Sequence, residues 1–122
     1  MMYLLDTHVV IWAMADDKAK LGKRLYDIIT DATNVCYVSA ISLWEIEIKT
    51  SLGRLDVPDD IMSALKLSGF KCINLEPSHI KELRKLPNHH KDPFDRMLIA
   101  QADATSMQLL TVNSDIQKYF KR

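Results

Sequence analysis

The stretch Met2-Tyr3-Leu4-Leu5-Asp6-Thr7-His8-Val9-Val10 decides how the rest of the chain is read. A short apolar run ends on a carboxylate, and a second apolar pattern starts at once. A buried strand that stops on an acid is a common way for an α/β protein to hold a carboxylate at the mouth of its sheet. Two other segments gain meaning beside it. Asp92-Pro93-Phe94-Asp95-Arg96 opens an apolar helix, and Trp44-Glu45-Ile46 lies inside another. Acids gathered at one edge repel unless a cation sits among them. The pattern points to a divalent-metal site.

Outward from that stretch, short apolar runs alternate with amphipathic ones. Strands are expected at Tyr3 to Leu5, Val35 to Val38, Cys72 to Leu75 and Leu109 to Val112. Helices are expected at Val9 to Met14, Lys20 to Ala32, Ser42 to Leu52, Ile61 to Leu67, Ser78 to Leu86, Phe94 to Ala104 and Asp115 to Phe120. Leu21, Leu25, Ile28 and Ile29 repeat at the spacing of one helix face, and Gly53 stands where a helix C-terminus wants glycine. Strands alternating with helices argue for a parallel sheet covered on both faces. In such folds ligands gather at the carboxyl ends of the strands, near the change in strand order. Asp6 and the segment from Thr111 to Asp115 both fall at that edge.

With 122 residues and 48% hydrophobic side chains, the sequence reads as one soluble domain spanning 1–122. Sixteen basic and sixteen acidic side chains cancel, so no global field draws in nucleic acid or membrane. Cys36 and Cys72 each sit in a strand-like run and read as buried free thiols of a reducing cytoplasm; neither has zinc-site spacing with a histidine. The first apolar run is broken by Asp6 and His8 and lacks a basic flank, unlike a signal peptide. No apolar run approaches the roughly 20 residues of a membrane span.

Each candidate also has a local structural role. Asp6 suits a helix N-cap as well as a metal ligand or general base. Glu45 is spaced for an i,i+4 ion pair with Lys49, although its apolar neighbours on more than one side suggest a buried helix, where a carboxylate needs a partner. Asp92 as N-cap, Pro93 at the first helical position and Asp95 two residues on make a near-ideal helix start. Ser114 with Gln117 has capping-box spacing. His8, His79, His89 and His90 form no nucleophile-plus-base arrangement. Lys81, Arg84, Lys85, Lys91 and Arg96 make the segment 81–96 locally basic, either as solvated surface or as a track for a phosphate backbone.

In order along the chain, Leu4-Leu5-Asp6-Thr7-His8, Val38-Ser39-Ala40-Ile41-Ser42-Leu43-Trp44-Glu45-Ile46, Gly53-Arg54-Leu55, His90 to Ala102 and Leu109-Leu110-Thr111 resemble the PIN-domain family. The type they are most similar to is the VapC-like ribonuclease toxin of type II toxin–antitoxin systems. The resemblance implies a three-layer α/β/α sandwich around a short parallel sheet of four to five strands. It also implies a metal-dependent endoribonuclease that hydrolyses RNA, with tRNA among the substrates to be tried.

Position by position, Asp6, Glu45 and Asp95 match the family's first three acids, while Thr7 and Ser39 match polar positions bordering the site. The usual fourth acid is Asn113 here; Asp115 and Asp92 are the alternatives for that role. One or two Mg²⁺ or Mn²⁺ ions would be bound, a metal-bound water would attack the phosphate in line, and Lys49, Lys91 and Arg96 would contact RNA phosphates. A cognate antitoxin, a homodimer and a cytoplasmic setting are implied as partners and place. Asn113 keeps a second reading open, a PIN-like RNA- or partner-binding module that has lost catalysis. An aspartyl phosphatase is disfavoured, because His8 stands where that chemistry needs a second acid.

Overall fold

The computed structural model describes residues 1–87 and 92–117. Lys91, His89, His90 and the end of the last expected helix lie outside them. Four parallel strands form one sheet: β1 (Met2–Leu5), β2 (Val35–Ser39), β3 (Lys71–Ile73) and β4 (Gln108–Leu110), in the order β3-β2-β1-β4. Around it stand α1 (Thr7–Met14), α2 (Lys18–Thr30), α3 (Ala40–Ser51), α4 (Ile61–Leu67), α5 (Pro77–Lys81), α6 (Pro93–Thr105) and α7 (Ser114–Gln117), with a 3₁₀ turn at Glu82–Lys85. The three-layer α/β/α expectation holds.

The layers follow from the two-residue period of the strands. Tyr3, Leu5, Cys36, Val38 and Leu110 face one side, where α1, α2, Ile46 of α3 and α4 complete the core. Leu4 and Leu109, with the partly buried Tyr37 and Ile73, face the other, against α6, Ile116 of α7 and Ile41 of α3. Leu4, Leu5, Val38, Leu98 and Ile99 are fully buried, each worth about 1.5–3 kcal/mol relative to exposure. A sheet covered on both sides needs such near-continuous apolar runs.

Several expected boundaries move. The strand expected at Leu109 to Val112 stops at Leu110, because the Thr111 hydroxyl turns to hydrogen-bond Asp6 and Val112 is exposed. The third strand ends at Ile73 rather than Leu75. The helix expected at Ser78 starts at Pro77, and its second half tightens into the 3₁₀ turn. The capping box of Ser114 and Gln117 does not form. Asn113 Oδ1 accepts from the Asp115 N–H instead, while Gln117 Nε2 donates to the Thr111 carbonyl. Cys36 is buried as expected, whereas Cys72 is only half-buried, and both are free. Among the described residues, no helix is long and apolar enough to cross a membrane.

Candidate metal centre at the sheet mouth

The strand register places three polar residues in a row. Leu5 pairs with Val38 on one side and Leu110 on the other, so Asp6, Ser39 and Thr111 are the next residues on three adjacent strands. The order β3-β2-β1 runs one way from β1 while β4 lies on its other side, so the change in strand order falls between β1 and β4. Asp6 and Thr111 flank that crevice, where open parallel sheets bind their ligands. The backbone N–H of Asp6 donates to the Leu110 carbonyl (3.0 Å), which fixes the acid against β4.

Asp6 fills the capping role foreseen for it. Its Oδ1 caps α1 by accepting from Val9 N–H (2.9 Å), and its Oδ2 accepts a short hydrogen bond from the Thr111 hydroxyl. Thr111 Oγ1 accepts in turn from the Asn113 N–H (3.0 Å), so its position is fixed by the chain that follows. Asp6 is only 3% exposed. Burial raises its pKa above the ordinary 3.8; the bonds from Thr111 and Val9 and nearby His8 oppose the rise, and the charge of Glu45 adds to it. Asp6 and Glu45 therefore sense one another electrostatically across the sheet mouth.

Glu45 is carried by α3, which Ser39 starts by accepting from Ile41 N–H (3.0 Å). Thr7, at the start of α1, donates to Ser42 Oγ (3.0 Å), and this bond ties α1 to the helix that holds Glu45. Glu45 is 6% exposed. Lys49 reaches one of its oxygens at 3.1 Å, as the spacing foretold, but the pair is not on a solvated face. The other oxygen, Oε1, is buried without any hydrogen-bond partner among the described residues. An ionised oxygen left so is costly. Trp44, by contrast, is 62% exposed, so α3 is less enclosed than its sequence suggested.

Asp95 enters from α6. Asp92 Oδ1 caps that helix through Phe94 N–H (2.9 Å) and Asp95 N–H (3.1 Å), with Pro93 at its first position. Phe94 meets Trp44 edge-on with ring centroids 5.0 Å apart, so the residue before Asp95 touches the residue before Glu45. Among the described residues, however, no three of Asp, Glu, His and Cys gather tightly enough to form a metal-binding group. Asp115 is exposed and Asn113 spends its Oδ1 on the turn. Arg96 donates to the Pro87 carbonyl (3.0 Å). The residue sets thus divide: Asp6, Glu45, Thr7 and Ser39 share one buried edge, and Asp95 stands on the helix beside it.

Thr111 and Ser42 lie in segments that the sequence brought to this edge or to the Glu45 motif, but neither was given a role of its own there. The signal for Thr111 was its place at a strand end level with Asp6, which only strand order reveals.

A buried acid at the switch point of a parallel sheet, with a second buried acid acting on it electrostatically and leaving one oxygen unpartnered among the described residues, places the protein among α/β folds with an acidic site at the strand ends. A family model described as the PIN domain matches residues 3–121, and the chain belongs to the PIN-domain family. PIN domains as a family are nucleases and generally use divalent metals. The fold is similar to that in the crystal structure of VapBC2 from Rickettsia felis bound to a DNA fragment from their promoter. That match has a TM-score of 0.70 at 18% identity, covering 98% of this chain and 93% of that one. It is also similar to VapBC-1 from nontypeable Haemophilus influenzae, with a TM-score of 0.68 at 18% identity over 98% and 92% of the two chains. No curated protein matches the sequence.

Proposed function

We propose that this protein is a metal-dependent endoribonuclease, the toxin of a type II toxin–antitoxin pair. The observation that carries the metal is the buried, unpartnered Oε1 of Glu45 beside a second buried carboxylate, Asp6. A cation satisfies that oxygen and offsets the repulsion between the two acids. Hard oxygen donors suit Mg²⁺ or Mn²⁺, one or two ions, with Asp6 and Glu45 as ligands and Asp95 as the third. Asn113, Asp115 or Asp92 would serve in the fourth position. When bound, the ion supplies Lewis acidity toward a phosphoryl oxygen and lowers the pKa of a coordinated water.

The chain's own groups do the rest. Thr111 and the Val9 N–H hold the Asp6 carboxylate in one orientation, so no side-chain reorganisation is needed when substrate arrives. The Thr7–Ser42 bond keeps Glu45 at a fixed distance from α1. Lys49 balances the charge of Glu45, and Lys49, Lys91 and Arg96 would be the cations that meet RNA phosphates, Lys91 lying outside the described residues. Burial keeps bulk water from the two acids themselves.

An antitoxin partner is supported by the neighbours in structure, which are VapBC complexes. The exposed Trp44 beside an apolar pocket of Ile41, Leu75, Pro93, Phe94 and Met97 supports a covering partner or a homodimer. A cytoplasmic setting is consistent with the free cysteines.

Cleavage of structured RNA, tRNA included, by the partner-free protein with Mn²⁺ or Mg²⁺ tests this reading. Activity is expected to vanish in EDTA and in Asp95→Asn. Asn113 in place of the family's fourth acid favours the second reading, a PIN-like binding module without catalysis. Folded protein that binds RNA but never cuts it would establish that module instead.

A further inference from the structure

Beside the acidic edge lies an open groove of about 420 Å³, lined by both cationic and aromatic side chains. Besides Lys20, it is lined by two cations, Lys49, which also holds Glu45, and Arg54. Their proximity is built by the end of α3. Gly53, at φ +70°, lets Arg54 N–H turn back to the Lys49 carbonyl (2.9 Å) while Gly53 N–H bonds the Thr50 carbonyl (3.0 Å). This is the paired-bond helix ending that glycine favours. Arg54 is exposed and makes no ion pair with any described residue. His8 and Trp12 also line it, one turn apart on α1, with ring centroids 5.7 Å apart and planes tilted by 37°. The acid of the groove, Asp17, is engaged in capping α2 and in a long contact with Lys20 (3.9 Å).

Resting on the nuclease reading above, we propose that this groove seats one unpaired nucleotide of the RNA, next to the scissile phosphate. Its base lies against the His8–Trp12 faces, and its phosphate lies between Lys49 and Arg54. The groove begins at the site from both sides: His8 is two residues beyond Asp6, and Lys49 touches Glu45. Its volume falls within the roughly 300–1,000 Å³ of small-ligand pockets. Aromatic faces accept any unstacked base, whereas a base inside a duplex cannot reach them. The substrate segment is therefore single-stranded at the cut. Charge and stacking surface together favour a nucleotide over an acidic peptide, which would use the cations and leave the rings idle.

The test is Trp12 fluorescence in the full-length Trp44→Phe protein, where Trp12 is the only tryptophan, in EDTA so that no cleavage intervenes. Single-stranded oligouridylate is expected to quench Trp12, and the same RNA annealed into a duplex is not. Arg54→Gln is expected to weaken binding about 3- to 10-fold and to reduce the salt slope by about one. RNA binding with no quenching and no response to Arg54→Gln would overturn the proposal, and metal-dependent cleavage in the same preparation would leave the nuclease reading standing. Polyglutamate binding that Arg54→Gln weakens, without quenching by RNA, would assign the groove to an acidic peptide. Loss of both RNA binding and cleavage in folded protein would overturn groove and nuclease together.

Discussion

At the carboxyl edge of the sheet Glu45 leaves Oε1 buried and unpartnered; in the second half of α6 Gln101 leaves its own Oε1 in the same condition. The surroundings differ. Gln101 is neutral and fully buried, and its Nε2 donates to the Asn74 carbonyl (3.1 Å) and lies 3.3 Å from His79 Nδ1. That His79 nitrogen also accepts from the Glu76 N–H (3.1 Å), so the cluster pins α6 to the end of β3 and to the start of α5. One orphaned amide oxygen is the cost of that clamp, about 1–3 kcal/mol. Glu45 instead acts electrostatically on a second buried acid, Asp6. The same geometric defect is a packing compromise in one place and, in the proposed function, a ligand position for a cation in the other.

The largest effect that sharpens this contrast is on catalysis. Asp6→Asn and Glu45→Gln are each expected to lower metal-dependent RNA cleavage by about 100-fold or more, with the fold retained, while Gln101→Leu leaves the rate near wild type. Initial-rate assays on one RNA measure all three. Next comes metal-linked stability. Mn²⁺ at about one hundred times its Kd is expected to stabilise the wild type by about 2.7 kcal/mol and to leave Asp6→Asn unmoved, as read by thermal melts.

Acid supplies the third contrast. Burial holds the Asp6 pKa above 3.8, so the metal-free folded state keeps a proton that the unfolded chain releases. Stability from this group is full below 3.8 and is lost as pH rises through the folded pKa. Metal-free wild type should therefore trail Asp6→Asn at neutral pH, and the gap should close on acidification toward 3.8. Smaller again is Lys49→Gln. Removing a partly exposed cation from Glu45 is expected to cost about 1 kcal/mol in denaturant melts without metal, and less with it. A larger loss with metal present would mean that Lys49, not a cation, is the permanent partner of Glu45.

Much of this was legible from residues alone. The apolar runs Tyr3 to Leu5, Val35 to Val38 and Leu109 to Val112 announced the sheet, although the last strand stops at Leu110, because strands buried on both faces leave little room for polar residues. Asp6 and Asp92 were read as helix caps, and both are. What failed depended on three-dimensional neighbours. Thr111 gains its role from lying level with Asp6 across a register that no local pattern encodes. The helix of Glu45 read as buried on more than one side, yet Trp44 is exposed, because α3 packs through Ile41 and Ile46 instead. Gln101 gave no signal in its apolar helix, since its partners come from β3 and α5. Local propensity is visible in a sequence, whereas polar pairing between distant segments is not.

The central claim is that Asp6 and Glu45 form a cation site. Calorimetric titration of Mn²⁺ into metal-free protein tests it most directly, with wild type, Asp6→Asn, Glu45→Gln and Gln101→Leu compared under one set of conditions. The account predicts saturable binding by wild type and Gln101→Leu, and its loss in both carboxylate variants. Binding undiminished in Asp6→Asn and Glu45→Gln, or absent from folded wild type, would contradict it.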